Sequence, residues 1–538
     1  MNESIGKYGG ILRRGFKGVS DGPGPTKLNI QGLVWFTLDL TTTPHVAEAW
    51  EINEDASEWT WHLREGTKWS DGHPLTTADV RYYYDHVLKN EVLTKSPPAN
   101  WSSGSPRVLM ELETPDDYTF VVRFQDPNPL FAEAYAAREG PYQPAHYMSQ
   151  FHIDLAEDSA ALQAQVAEAG LESWDGLYTQ MNNWQINPER PVEYPWVPST
   201  KMSDELFLMD RNPYYMAVDP EGKQLPYIDR IQHRLFSTPD VFNMWVVNGE
   251  IDLHHRHVAV ANYTLFKENE EAGDYRVYHG ILCSTTSINA NLTTKDPQVR
   301  EFLQNRDVRF ALNYAVNREE INELIYDGLA EPRQCGPVDA SPLYYPKLAH
   351  AYLEYDPEKA NSLLDQAGYT ERDAEGFRLW KDGSGRVGYQ IEYIDAADED
   401  TVALYVKYFA DVGVQCPYKY VERSLYTEHY SSNNIEASVA FGVDRSLLPM
   451  LQPEILVGLM SDHPWACAWA LWRTSGGTDP NGEEPPEGHW IWKAWDLYDQ
   501  TRVTPDEAQR AELFYGILDI WYEELPMAGY LSQFKQPV

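Results

Sequence analysis

An α/β fold is predicted for this 538-residue chain by three observations. Segments that read as strands alternate with segments that read as helices along its whole length. No internal repeat or low-complexity tract breaks that alternation. The chain also exceeds the roughly 250–300 residues at which a single core stops growing, so two or three domains are expected. The composition supplies an interior: 43% of residues are hydrophobic. With a mean hydropathy of −0.52, no apolar run approaches the roughly 18 residues needed to cross a bilayer. Acidic residues number 82 against 43 basic ones, a formal charge of −39. That charge repels phosphate backbones and anionic membrane surfaces, so nucleic acid is not an expected partner, and it mildly favours neutral or cationic ligands.

The elements follow in chain order. "YTFVVRF" (118–124) is rich in β-branched and aromatic residues and reads as a strand. Residues 152–170 read as helical. "MDRNPYYMAVDPEGKQLPY" (209–227) is dense in Pro, Asn and Asp and reads as a loop. In "DLHHRHV" (252–258), strand alternation puts His255 and His257 on one face, a candidate metal pair; a polar strand end with hydrogen-bonded histidines explains the same residues without a metal. "RDVRFALNYAVNREEINELIYDG" (306–328) offers a capping Asp307, then a second start at Asn317 with Glu320 three residues on. Two helices meeting at an angle are expected. "YDPEKANSLLDQAGY" (355–369) has Asp356 as N-cap, Pro357 at the first helical position, an apolar face of Ala360, Leu363, Leu364 and Ala367, and Gly368 as the stop. In "WACAWALWRTSGG" (465–477), Trp465, Trp469 and Trp472 stand at i, i+4 and i+7, the spacing of one helical face. Residues 474–488 read as a loop and 505–525 as a helix.

Catalytic signatures are missing. There is no G-x-S-x-G elbow, no Walker-type loop, no G-x-G-x-x-G and no H-E-x-x-H. Paired carboxylates for glycoside hydrolysis are neither supported nor opposed by spacing in so acidic a chain. Cys283, Cys335, Cys416 and Cys467 form no C-x-x-C, which removes zinc-ribbon and thiol-redox readings and leaves their pairing open. "MNESIGKYGGILRRG" lacks the apolar centre of a secretory signal, so the chain is either cytosolic or a mature exported protein.

Several stretches together resemble one family. "HLREGTKWSDGHPLTTADVRYYYDHV" (62–87) is similar to the signature of the family 5 extracytoplasmic solute-binding proteins of ABC importers, and is joined by "PAHYMSQF" (144–151), "LFLMDRNPYY" with "LPYIDRI" (206–231), "NGEIDL" (248–253), "RDVRFALNYAVNRE" (306–319), "YDPEKANSLLDQAGY" and "ELPMAGY" (524–530). The resemblance spans nearly the whole chain. It implies a two-lobed type II periplasmic-binding-protein clamshell (cluster C) with an extra subdomain in lobe I. Lobe I would comprise residues 1–45, the subdomain 46–192, then 193–286 and 506–538, with lobe II at 287–505. It implies a non-enzymatic monomer without cofactor or metal. Such a protein takes up a small solute by hinge closure and hands it to a membrane permease. The location implied is extracytoplasmic, periplasmic or lipid-anchored, with a leader that this sequence does not include.

Most signature residues read as scaffold: Asp71 and Gly72 as turn formers, Asp79 as a helix start, Asp307 with Arg309 as a cap and packing pair. Ligand contacts are expected instead on loops. Trp35, in "GLVWFTLDLTT" (32–42), is one candidate, with core packing as its alternative. Asn289, at the entry to lobe II, is another. "FGVDRS" (441–446) stands where peptide-binding members have G-W-x-x-D and hold the peptide's α-amino group. Here the Trp is missing, which weakens a peptide reading; Phe441, Asp444 and Arg445 remain candidates, Asp444 for an ammonium or for sugar hydroxyls. "WACAWALWRTSGGTDPNGEEPPEG" resembles the C-terminal insert of a branch that binds cello- and manno-oligosaccharides, which nominates Trp465, Trp469, Trp472 and Arg473, although helical spacing sends at least one indole to the core. The expected ligand is a short oligosaccharide, with an oligopeptide as the alternative; a glycoside hydrolase and a metal-complex carrier built on "HHRH" stand behind both.

Overall fold

A computed structural model describes residues 5–104, 107–136, 138–284, 286–441, 447–459 and 463–537. The chain divides into two compact units. One holds residues up to Val258 with Asn262–Val277; the other holds Ala259–Ala261 with Tyr278–Pro537.

The first unit is built on two four-stranded sheets. One joins Ile11–Phe16, Arg230–Leu235, Leu206–Arg211 and Trp196–Pro198 in that spatial order. Its first two strands run parallel and put Arg14 opposite His233. The other sheet is antiparallel and orders Ala47–Ile52, Glu58–Leu63, Thr119–Arg123 and Glu111–Glu113. Alternation along Glu58–Leu63 sends Trp59, Trp61 and Leu63 inward, where they meet Phe120, Phe131 and Trp101.

The signature stretch is scaffold within this unit. Gly72 takes φ +90°, a conformation that suits glycine, while Asp71 Oδ1 accepts from His73 N at 3.0 Å. The helix Thr77–Tyr82 is capped by Thr76 in a capping box closed by Asp79, which is thus its third residue rather than its start. Asp79 also accepts from the Trp69 indole (3.2 Å) and from Ala145 N (3.0 Å). Burial raises its carboxyl above the ordinary value against those bonds. Of 152–170, Ser159–Glu168 is helical, capped by Asp158.

The second unit centres on a sheet ordered Thr286–Ala290, Ala437–Phe441, Ile391–Tyr393 and Tyr418–Tyr420. A three-stranded sheet of His279–Ser284, Leu531–Pro537 and Glu331–Pro332 lies in the same unit. The expected pair of helices is Arg306–Tyr314 and Arg318–Tyr326. The first cap is Asn305, which accepts from Asp307 N at 2.9 Å, so Asp307 lies inside the helix; Arg309 pairs with Glu524 at 3.0 Å instead. Asn317 caps the second helix by accepting from Glu320 N at 3.1 Å. Pro357–Gln366 forms with Asp356 as its cap and with Ala360 and Leu364 fully buried, and Gly368 follows at φ +93°. The helix Glu507–Glu524 packs along Trp490–Val503 and receives Arg309 at its last turn, and the residues that follow it to Pro537 group with this unit. No helix among the described residues is long and apolar enough to cross a membrane.

Candidate functional site

The tryptophan stretch (465–477) is helical only in part. Its helix begins only at Cys467, so Trp465 precedes it and the expected three-indole stripe reduces to Trp469 and Trp472. Trp465 is fully buried. It stacks on Trp490 (centroids 6.0 Å apart), meets Trp521 edge-on (5.9 Å) and donates its indole N–H to Ile455 O at 3.1 Å. Two more buried indoles extend this pattern: Trp521 donates to Leu456 O (2.7 Å) and Trp495 to Val457 O (2.9 Å). Three indoles thus hold three consecutive carbonyls, satisfying backbone acceptors that burial would otherwise leave costly. Trp469 is also buried, 4.5 Å from the His489 ring. The aromatic load of this region serves the core first.

Trp472 is half-buried. It stacks on Trp495 (6.3 Å, planes 9° apart) and meets Trp492 edge-on at 5.6 Å. Arg473 donates to Asp499 Oδ1 at 2.6 Å, its guanidinium 4.7 Å from the Trp495 centroid. The loop after this helix folds back against it. Gly482 lets it do so, because a Cβ there would lie 2.6 Å from Trp472 N, and Glu483 N donates to Ala468 O at 3.0 Å.

The returning loop leads into an open depression of about 830 Å³ with Glu484, Glu487, His489, Trp490, Trp492 and Lys493 among its lining residues. His489 caps the helix Trp490–Val503 by accepting from Ile491 N through Nδ1 at 3.2 Å. Burial, with Arg309 adding to it, lowers its imidazole to about 4, so the ring is neutral and able to accept at neutral pH. Trp492 is fixed by its N–H bond to Pro486 O at 3.1 Å. Trp490, Trp492 and His489 were not nominated from sequence. "HWIWKAW" reads as helix from its spacing, and only the returning loop makes its first turn a wall.

Asn289 lies in Thr286–Ala290 and ends a row of polar residues across the sheet: Lys419, Glu392, Ser438 and Asn289 stand in register on four successive strands. Glu392 is buried, 2.8 Å from His429 Nδ1 and 3.1 Å from Lys419 Nζ. The Ser438 hydroxyl lies 3.1 Å from the Tyr426 hydroxyl. Asn289 itself is fully buried; its Nδ2 donates weakly to Ser287 O (3.4 Å), and its Oδ1 has no partner among the described residues. A buried acceptor left unmatched costs free energy and marks a position where function can outweigh stability.

The remaining candidates stand apart from these. In the first unit, Trp35 is half-buried in the hairpin of Val34–Phe36 with Thr42–Pro44, its ring 5.3 Å from that of His45. Phe441 closes the strand Ala437–Phe441, opposite Thr286. Asp444 and Arg445 lie outside the described residues. The strand expected at 252–258 does not form: the segment turns, with His257 at φ +63°. His257 bonds Asp21 while His254 is buried, and no group of three metal-ligating side chains occurs among the described residues.

A model of the bacterial extracellular solute-binding proteins, family 5 Middle, matches residues 41–450. The periplasmic alpha-galactoside-binding protein of Rhizobium meliloti (strain 1021) is 27% identical over 415 residues, which are 70% of this chain and 56% of that protein. The periplasmic oligopeptide-binding protein OppA of Salmonella typhimurium is 25% identical over 356 residues, 63% of this chain and 57% of that protein. The chain spans about half the length of the curated relatives it matches. Among solved structures, an oligopeptide-binding protein OppA is 32% identical with a TM-score of 0.78, covering 99% of this chain and 86% of its own. MelB of Agrobacterium fabrum C58, in complex with stachyose, is 20% identical with a TM-score of 0.70 over 100% of this chain and 81% of its own, a likeness of fold.

Proposed function

The chain belongs to the family 5 bacterial extracellular solute-binding proteins, and from that premise we propose that it is the non-enzymatic binding component of an ABC importer. It works outside the cytoplasmic membrane and hands a short oligosaccharide to a permease. The observation that carries the sugar reading is the sequence similarity to an alpha-galactoside-binding protein over 70% of the chain. The geometry of the second unit suits such a solute. A pyranose has an apolar C–H face that rests on an indole and a rim of hydroxyls that pair with carboxylates and amides. Half-buried Trp472, Trp490 and Trp492, with Arg473 and Glu487 nearby, offer that mixture. Asn289 adds an acceptor without a partner. From sequence, Trp35, Phe441, Asp444 and Arg445 stay in the proposed set.

A second reading, an oligopeptide as solute, is favoured by the 32% identity to an oligopeptide-binding protein across 99% of this chain. In that case Asp444 would pair with the peptide's amino terminus and backbone hydrogen bonds would replace ring stacking.

A thermal-shift screen of the purified protein against α- and β-linked oligosaccharides and against di- to pentapeptides separates the two. A ligand that binds only the folded state stabilises it by RT ln(1 + [L]/Kd), so a solute present at about 100 times its Kd adds about 2.7 kcal/mol. A rise in Tm with an oligosaccharide and none with peptides is the expected result. A rise with peptides alone transfers the solute class to peptides, and turnover of a chromogenic glycoside would end the non-enzymatic reading.

A further inference from the structure

The first unit buries an unusual group of cationic and imidazole side chains where its sheet meets the segment 252–258. Arg14 and His233 face each other across the two parallel strands. Both are nearly inaccessible to solvent, as is His254 on the adjoining segment. Arg14 spends its donors on main-chain carbonyls, Nε to Leu253 O (3.1 Å) and Nη1 to Gly24 O (3.3 Å), so its charge has no carboxylate of its own. Neither ring nitrogen of His254 or of His233 makes a well-formed hydrogen bond. Their rings pack instead on apolar neighbours, His254 4.8 Å from Phe242 and His233 5.8 Å from Phe207.

Charged and titratable groups among the described residues face the two imidazoles from several elements. His254 meets Arg14 from the strand Ile11–Phe16, His233 from Arg230–Leu235, and His255 and His257 from its own segment. His233 meets Arg14 and Asp21. Lys27 and Arg256 lie close to His255. The one carboxylate in the group, Asp21, is already committed: it accepts from Arg256 Nε (2.8 Å) and from Lys17 N (3.0 Å), and His257 Nε2 lies 2.8 Å from it. A proton added to either buried imidazole would therefore create a second cation beside Arg14, set at His233 against the Phe207 main chain and the already committed Asp21, a state that opening to water relieves.

We propose that His254 and His233 form an acid-sensitive lock, in which uptake of a proton releases the segment 252–258 from the first unit's sheet. That segment is held by Arg13 to Asp252, by Arg14 to Leu253 O, and by Asp21 to both Arg256 and His257. The chain runs directly from it into Ala259–Ala261, which group with the second unit. Burial supports the same sign, lowering His254 to about 2 and His233 to about 3, so each ring stays neutral while the segment is closed.

Hydrogen exchange followed by mass spectrometry on the whole chain tests this, with rates corrected for the intrinsic effect of pH. Between pH 7.5 and pH 5, peptides covering 252–258 should lose at least tenfold in protection, while those from Pro357–Gln366 in the second unit keep theirs. His254→Phe should abolish most of that acid-induced loss, and His254→Gln serves if the phenylalanine variant does not fold. Histidine NMR of the unaltered protein gives an independent reading: the His254 ring should stay neutral below pH 5 in the closed form. Protection of 252–258 that does not change with pH, an unaltered loss in the variants, or titration of His254 near 6.5 with the segment still closed would each overturn the proposal.

Discussion

In the second unit Glu392 is buried between Lys419 and His429, whereas in the first unit His254 and His233 are buried beside Arg14 with their ring nitrogens in no well-formed hydrogen bond. In each cluster strand register sets one pair, Lys419 beside Glu392 and Arg14 beside His233, and a histidine from outside the sheet, His429 or His254, joins it. Burial is equally severe in the two places. What differs is the partner. The carboxylate has two partners, Lys419 Nζ and His429 Nδ1, within 3.1 Å. The imidazoles keep their place only by staying neutral. Equally buried polar clusters thus respond to opposite perturbations, one to loss of a side chain and the other to gain of a proton.

The largest expected effect is on the imidazole side of that contrast. Both histidines have folded values far below the ordinary 6.5, about 2 and about 3. The unfolded chain therefore binds more protons between those values and 6.5, and stability falls as pH drops through that window; above 6.5 the contribution is fully present. From pH 7 to pH 5 each ring costs about 2 kcal/mol, so the pair costs about 4 kcal/mol. Urea unfolding of the first unit at the two pH values measures it, and His254→Phe should remove about half. An unchanged slope in that variant would dissolve the contrast.

Next in size is the carboxylate side. Glu392→Ala strands His429 and leaves Lys419 to water, and a buried pair broken from one end costs about 3 kcal/mol, at the low end of its range because Lys419 is half-exposed. Unfolding of the second unit monitored by tryptophan fluorescence should report that loss at pH 7. A cost below about 1 kcal/mol would mean that the row is held by its backbone rather than by its charges.

Much of the fold was legible because its signals are local. Asp356, Pro357 and Gly368 bound their helix through groups within a few residues, and the β-branched and aromatic residues of "YTFVVRF" mark a strand whichever sheet it joins. Even locally, two side chains can compete for one role. Asn305 takes the cap expected of Asp307, since its side chain reaches Asp307 N from two residues upstream. The candidate site was less legible because its geometry is set at long range. Trp465 is drawn out of the helical stripe by Ile455 O and by Trp521, which no spacing rule connects to it. His257 turns out of an expected strand toward Asp21, 236 residues away in the chain. The polar row that ends at Asn289 exists only once four strands are in register.

Asn289 offers the smallest effect and the sharpest division between structure and function. Its neighbour in register, Ser438, is bonded to Tyr426, and Glu392 beyond it is doubly partnered, yet the Asn289 Oδ1 accepts nothing from the described residues. An acceptor already unmatched in the folded state has little to lose, so Asn289→Leu should change stability by no more than about 1 kcal/mol, in contrast to Glu392→Ala. If that oxygen is instead matched by a donor on the solute, one hydrogen bond is lost on binding, and calorimetry should find the Kd weakened about 3- to 10-fold. Unaltered affinity would remove Asn289 from the proposed contacts. A stability loss near that of Glu392→Ala would instead make it one more structural member of the row, and the unmatched oxygen would no longer argue for a solute there.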